Sequence, residues 1–159
     1  MVKLEEINRS DFLQENFSFI IGEYATYNHY YKIVINHNNT KCKIGLQIEY
    51  SGVEPQIDIF KNSILVGAGN KLLIYNLSGE LIQSYLFEPA FYEFIIFDNT
   101  VLVIGELNIL LLDDLLNLVW NRGFNEIIVK YRIDNYNIII EDYAKNETSL
   151  NLFNGKKNY

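Results

Sequence analysis

The side chains suited to chemistry are few. His29 and His37 stand eight residues apart. A zinc site on one element wants its histidines about two or four residues apart with a carboxylate nearby. The observed spacing instead fits ordinary strand or surface positions. Cys42 is the lone cysteine, so a disulfide framework and a thiolate zinc cluster are excluded. Its neighbours Lys41 and Lys43 would favour a thiolate, but the position also suits a small residue just after a turn. Gly67-Ala68-Gly69-Asn70 lacks the third glycine and the following helix of a dinucleotide fingerprint, and reads as a hairpin turn. The acid pairs Glu5-Glu6, Asp113-Asp114 and Glu141-Asp142 are sequence neighbours. On a strand, neighbours point to opposite faces, which separates their carboxylates. No nucleophile elbow, His-Glu-x-x-His or P-loop pattern occurs. The expectation is a non-enzymatic chain with no catalytic residues, no metal and no cofactor.

Charge is more informative than catalysis. The chain carries 13 Lys and Arg against 20 Asp and Glu, a formal net charge of −7. Phosphate binding needs a basic footprint, so a nucleic-acid partner is not expected. From Leu72 to Asn121 there is no Lys or Arg, and seven acids fall there. The rest of the chain balances 13 acids with 13 bases, so the whole surplus belongs to this stretch. Tyr85, Phe87, Phe91, Tyr92, Phe94, Phe97 and Trp120 interleave with the acids. Acids with aromatic anchors suit docking to a basic protein. The candidate partner-binding residues are Glu80, Glu88, Tyr92, Glu93, Asp98, Glu106, Asp113 and Asp114. Solubilising charge on turns would use the same residues.

The elements that must hold these residues read as β-structure. A length of 159 residues suits one domain over 1–159, and 49% hydrophobic content excludes disorder. Lys43 to Tyr50 alternates, with Ile44, Leu46, Ile48 and Tyr50 on one face of a half-buried strand. Tyr30 to Ile35 is a second β-rich run, and Asn36 to Thr40 joins the two as a hairpin in an N-terminal region, 1–56. One short helix is expected over Ser10 to Asn16, with Ser10 as N-cap and Asp11 in the first turn. No run of 18 apolar residues occurs, and Glu5 and Glu6 sit where a secretory signal has a basic head. The expected location is cytoplasmic. Abundant Asn, Ile and Tyr with scarce Ala and Pro suggest an AT-rich, bacterial genome.

Residues 57–156 repeat. Asn62-Ser63-Ile64-Leu65-Val66-Gly67 has a near copy in Asn99-Thr100-Val101-Leu102-Val103-Ile104-Gly105. Asn70 to Leu77 is matched by Asn108 to Leu115, at a spacing of 37 to 38 residues. A degraded third copy starts at Asp134, and Leu150 to Lys156 echoes Ile74 to Glu80. Each unit reads as a four-stranded β-meander. The units resemble propeller repeats of the quinoprotein-like or WD40-like kind, most closely over Leu110 to Trp120. The Trp-Asp and Gly-His signatures of WD40 repeats are absent, and Trp120 stands alone. The resemblance implies an all-β fold of antiparallel meander units. It would be an open or partial propeller, because three copies fall short of the roughly four blades a closed ring needs. The alternatives are a β-barrel or sandwich with similar hairpins, and locally a helix over Leu107 to Trp120. Asn108, Asp113, Asp114 and Asn117 interrupt the apolar stripe of that helix.

In size and charge the chain resembles in type the immunity proteins of contact-dependent inhibition and polymorphic-toxin systems. That resemblance implies a basic toxin, of nuclease type, as partner, with an acidic face covering its active-site cleft. Two alternatives stand beside it. One is a β-barrel holding a small hydrophobe. The other is a hydrolase using Asp113 and Glu88.

Overall fold

A computed structural model describes residues 1–22, 29–37, 40–49 and 52–158. The protein is almost entirely β, with a single short helix among the described residues. By its internal contacts the chain divides into two compact units, Met1–Tyr85 and Leu86–Tyr159.

The first unit begins with strand β1 (Val2–Ile7), helix α1 (Arg9–Gln14) and strands β2 (Phe19–Ile21), β3 (His29–His37) and β4 (Thr40–Ile48). These strands form one sheet in the order β1-β3-β4-β2. The hairpin expected in 1–56 is its centre, and β2 runs parallel to β4. The helix starts earlier than its sequence signal implied. Asn8, not Ser10, is the N-cap, and its Oδ1 accepts from the Asp11 amide at 2.9 Å. Both residues can cap, and Asn8 lies just beyond the end of β1, where the chain must turn. Strand β4 also differs from expectation, being buried on both faces. Ile44 and Leu46 enter the core, while Gly45 and Gln47 lie under the helix layer. Tyr50 falls outside the described residues.

The second sheet of this unit joins β5 (Gln56–Phe60), β6 (Ser63–Ala68), β7 (Lys71–Asn76) and β8 (Leu81–Leu86) in sequence order. The second unit repeats that meander with β9 (Phe91–Phe97), β10 (Thr100–Gly105), β11 (Asn108–Leu112) and β12 (Leu118–Gly123). It ends on a third meander, β13 (Ile128–Asp134), β14 (Asn137–Asp142) and β15 (Glu147–Asn151). There a single bridge, Leu150 to Lys157, stands where a fourth strand would be. The four sheets are separate and open, so the barrel alternative is overturned. The helix considered over Leu107 to Trp120 is likewise a strand, a turn and a strand.

Turn chemistry sets the repeat. The first hairpin of each meander closes on two residues, between Phe60 and Ser63, Phe97 and Thr100, and Asp134 and Asn137. The leading turn residue has positive φ each time: Lys61, Asp98 and Asn135, spaced at 37. The last turn is closed by an Asx side chain. Asn76 Oδ1 accepts from the amides of Ser78 and Glu80, and Asp113 Oδ1 from those of Leu115 and Asn117. Asn151 Oδ1 does the same for Phe153. Gly79, at φ +90, makes the left-handed step, and a side chain there would strike the Phe19 ring.

The cores follow from the strands. In the first unit Ile33, Ile35, Ile44 and Leu46 pack with Ile64 and Val66 of β6. Cys42 is buried in the same cluster. In the second, Leu102, Ile104, Ile109 and Leu111 pack with Ile128, Ile138, Ile140 and Leu150.

Helix α1 is held to its sheet from both chemistries. Phe12 packs over Gly45, and Glu15 bonds Lys32 at 2.6 Å and Lys43 at 2.7 Å. These two lysines hold the Glu15 carboxyl below its ordinary range. A Cβ on Gly45 would lie 2.7 Å from the Phe12 ring and 2.9 Å from Phe17. Overpacking of this kind costs about 1–3 kcal/mol. Gly45→Ala is expected to lower the unfolding free energy measured by urea titration by that amount, and Phe12→Leu in the same chain to recover part of it, because the two sites couple.

Candidate functional site

The acids cannot sit in the central strands, which are apolar and buried, so they collect where strands end. The sheet β9–β12 shows the sorting. Glu88 precedes β9 and Glu106 follows β10, which places both at one end. Asp98 sits in the β9–β10 turn, and Asp113 and Asp114 in the β11–β12 turn, at the other end. The two ends are a strand length apart, about 14 Å at ~3.4 Å per residue. Glu80 belongs to the first unit, in the turn between β7 and β8, and accepts from Asn76 Nδ2 at 3.1 Å.

The structure therefore gathers half of the predicted residues. Glu88, Tyr92, Glu93 and Glu106 lie at one end of one sheet. Backbone bonds fix that end. The Glu106 amide donates to Ala90 O at 2.9 Å, and the Ile128 amide donates to Glu106 O at 2.9 Å. Glu88 is thus two residues from a direct bond to Glu106. A bulge between Ile104 and Gly105 lets Phe91 pair with Gly105 and Glu93 with Ile104, with Tyr92 as the extra residue. Tyr92 and Glu93 are both half-buried as a result.

The same bonds bring in residues that the sequence reading missed. Glu126 is exposed and two residues from Ile128. It was passed over because Arg122 ends the acid-only window. Tyr143, 74% exposed, is held there by its amide bond to Ile127 O at 2.8 Å. Arg122, at the end of β12, and Lys145 are the bases at this end. Lys130 is neutralised locally by Glu141 at 3.6 Å.

Electrostatics at this end is dominated by carboxylates beside phenols. Burial, then a hydrogen bond with Glu93 and its negative charge, pushes the Tyr131 hydroxyl far above the ordinary range. Burial and the Glu106 charge raise Tyr92 as well. Asp113 is different. Its carboxylate serves its own turn, accepting from Leu115, Asn117 and the Asn117 amide group.

The aromatic anchors fare worse than expected. Phe87 and Phe91 are fully buried and stack edge to face, with Phe94 beside Phe91. All three rings are buried in the core, Phe87 from the segment between β8 and β9 and the other two from β9, so they are unavailable to a partner. Trp120 donates its indole N–H to Leu152 O at 2.8 Å and packs over Gly155, which ties the C-terminal turn to β12.

Other candidate groups are dispersed. His29 and His37 stand at opposite ends of β3, with His29 Nδ1 2.5 Å from Glu6 Oε1. Among the described residues no group of three His, Cys, Asp or Glu is arranged to hold a metal ion. No helix of the described residues is long and apolar enough to cross a membrane. Asp113 and Glu88 occupy opposite ends of their sheet, beyond the ~10 Å that separates acid and base in a carboxylate hydrolase.

No family model and no curated protein sequence matches the chain. Solved structures do match in fold. The computationally designed Ika4 protein superposes with a TM-score of 0.53 at 12% identity, over 70% of this chain and 74% of its own. BamB from Moraxella catarrhalis gives 0.54 at 14% identity, over 82% of this chain and 42% of its own. The designed Ika8 protein gives 0.53 at 10% identity, over 86% and 46%. The fold is β-propeller-like. The chain spans less than half the length of BamB and of Ika8.

The phenol–carboxylate pair makes an alkaline prediction. A hydroxyl whose folded pKa exceeds its unfolded value near 10 keeps its proton only in the folded state. Stability is then full below about pH 10 and falls as the pH rises further, because the unfolded chain releases the proton first. Denaturation midpoints measured from pH 8 to 11.5 should fall above about pH 10. In Tyr131→Phe the fall should be shallower. In Glu93→Gln, ultraviolet titration should show Tyr131 ionising at lower pH than in the parent, though still above an exposed tyrosine because burial remains.

Proposed function

We propose that the protein is a non-enzymatic protein-binding module, and specifically a bacterial immunity protein acting in the cytoplasm on a cognate basic toxin of nuclease type. The observation that carries this reading is the gathering of Glu88, Glu93, Glu106 and Glu126 at one bonded end of the second unit. That unit holds 11 acids and 6 bases, counted over Leu86–Tyr159, and so accounts for −5 of the net −7. A nuclease cleft is cationic because it binds phosphates. Carboxylates set at fixed spacing can occupy those phosphate positions, speed encounter and disfavour acidic partners. Half-buried Tyr92 and exposed Tyr143 supply amphipathic contact area beside the acids. Glu93, bonded to Tyr131, orients this end rather than meeting the partner directly. Asp98, Asp113, Asp114 and Glu80 fall outside the contact.

The barrel reading for a hydrophobic ligand loses its basis with the barrel itself. The hydrolase reading needs two carboxylates that the sheet holds apart.

Co-expression with basic domains of nuclease type drawn from the genes flanking this one tests the proposal. A stoichiometric complex on size exclusion and loss of nuclease activity are expected. Glu88→Lys with Glu106→Lys should weaken binding about tenfold or more, most strongly at low salt. Asp98→Lys should leave affinity within about twofold. No complex, or equal effects from both ends of the sheet, would overturn the assignment.

A further inference from the structure

Among the described residues every sheet is open, and each leaves two edge strands. The outer N–H and C=O groups of an edge strand can pair with another chain, and natural edges are blunted by charge, proline, bulges or shortness. Here charge does most of that. Glu5 on β1, Asp58 on β5, Glu93 on β9, Arg122 on β12, Lys130 on β13 and Glu147 on β15 each mark their edge. Strand β2 is only three residues long. Strand β8 has neither device. Its six residues, Leu-Ile-Gln-Ser-Tyr-Leu, carry no charge and no proline. Leu81, Ile82 and Leu86 are 50%, 56% and 57% exposed on it.

The turn before β8 sets its geometry. The Asn76 amide donates to Glu80 O at 3.0 Å, which directs Glu80 toward β7. By strand alternation the N–H and C=O groups of Leu81 and Gln83 point away from β7. Side chains alternate as well, so Ile82 and Leu86 share one face with Ser84. A strand added to this edge must itself be free of charge, because a charge set against these side chains loses water and finds no opposite charge on β8. Strand β8 meets that condition. No other edge strand longer than β2 in the described chain does. Placed antiparallel about a two-fold axis at Gln83, β8 is also its own complement. Leu81 then stands across from Tyr85, and Ile82 across from Ser84. Glu80, which flanks the strand, falls across from Leu86 and not from a second carboxylate.

We propose that the open edge of β8 is a dimerisation surface whose occupant is β8 of a second copy of this chain. The two strands pair antiparallel and join two four-stranded sheets into one. The contact is isologous, so it closes at two copies. A single edge of six residues falls short of the ~1,200 Å² of a standard interface, so the dimer is weak and concentration-dependent. Two chains at −7 also repel, and salt screens that repulsion. The proposal does not rest on the toxin-binding reading, and either can fail alone.

Sedimentation equilibrium of the full chain from about 10 μM to about 1 mM covers the affinities of weak interfaces. The average mass should rise from one chain toward two and never beyond. Raising salt from about 50 to about 500 mM should tighten the dimer severalfold, whereas a contact between opposite charges would loosen. Gln83→Pro removes an outward N–H at the axis, a change that edge strands tolerate, and should weaken dimerisation at least about tenfold. Ile82→Lys, at an exposed position, should do the same and serves if Gln83→Pro does not fold. Leu118→Lys, equally exposed but on the edge of β12, should leave the dimer within about twofold. In a mixture of labelled and unlabelled chain, NMR contacts should join Ile82 of one copy to Ser84 of the other. A single-chain mass throughout, growth past two copies, loosening by salt, or indifference to the β8 variants overturns the proposal.

Discussion

A strand buried on both faces has only one outlet for its backbone polar groups, the strands beside it. Strands β6 and β10 are in that position: Ile64 to Val66 and Val101 to Ile104 are all fully buried. Each must therefore be flanked on both sides, and a short chain does this most directly by doubling back twice. The meander is the result. Once the central strand is fixed, the flanking strands inherit their register from the two-residue turn at Lys61, Asp98 or Asn135. Acids are excluded from these central strands, which is why those of the sheet β9–β12 gather mostly at strand ends and turns.

Much of this was legible because the repeat is written in both apolar runs and turn residues. The runs Ile64-Leu65-Val66 and Val101-Leu102-Val103 announced central strands, and the Asn and Asp residues around them announced turns. The third copy was legible too, although the echo of Ile74 to Glu80 in Leu150 to Lys156 set Asn151 against Tyr75, whereas its side chain closes the turn as Asn76 does. The N-terminal sheet was less so. Strand β1 exposes four of its six residues and carries Lys3, Glu5 and Glu6, so no alternation marks it. Strand β2 is three residues long and pairs in parallel with a strand far along the chain. Burial of Gly45 and Gln47 depends on a helix that local sequence cannot place against them.

The charged site was half legible. A window along the sequence counts acids correctly but ignores that successive turns of a meander lie at alternate ends. Asp98 and Glu106 are eight residues apart and belong to opposite ends of β10. Glu106 and Glu126 are twenty apart and share one end through the Ile128 amide. The aromatic residues misled for a related reason. Phe91 and Phe94 turn into the core, while Tyr92, at a bulge, and Phe97, at the end of β9, come partly to the surface.

The parallel pairing of β2 with β4 has a consequence for how firmly its surroundings are held. The hairpins close loops of a few residues, whereas Phe19 meets Ile44 across 25. Closure entropy rises as about (3/2)RT ln n, so joining β2 costs roughly 2 kcal/mol more than closing a two-residue turn. That cost is offset by only three ladder positions and by the packing of Phe19 and Ile21. Ile20, the middle residue of β2, thus belongs to the part of the first sheet with the smallest margin against opening. Opening there would bare the Gln47 side of β4 without breaking any of the meanders.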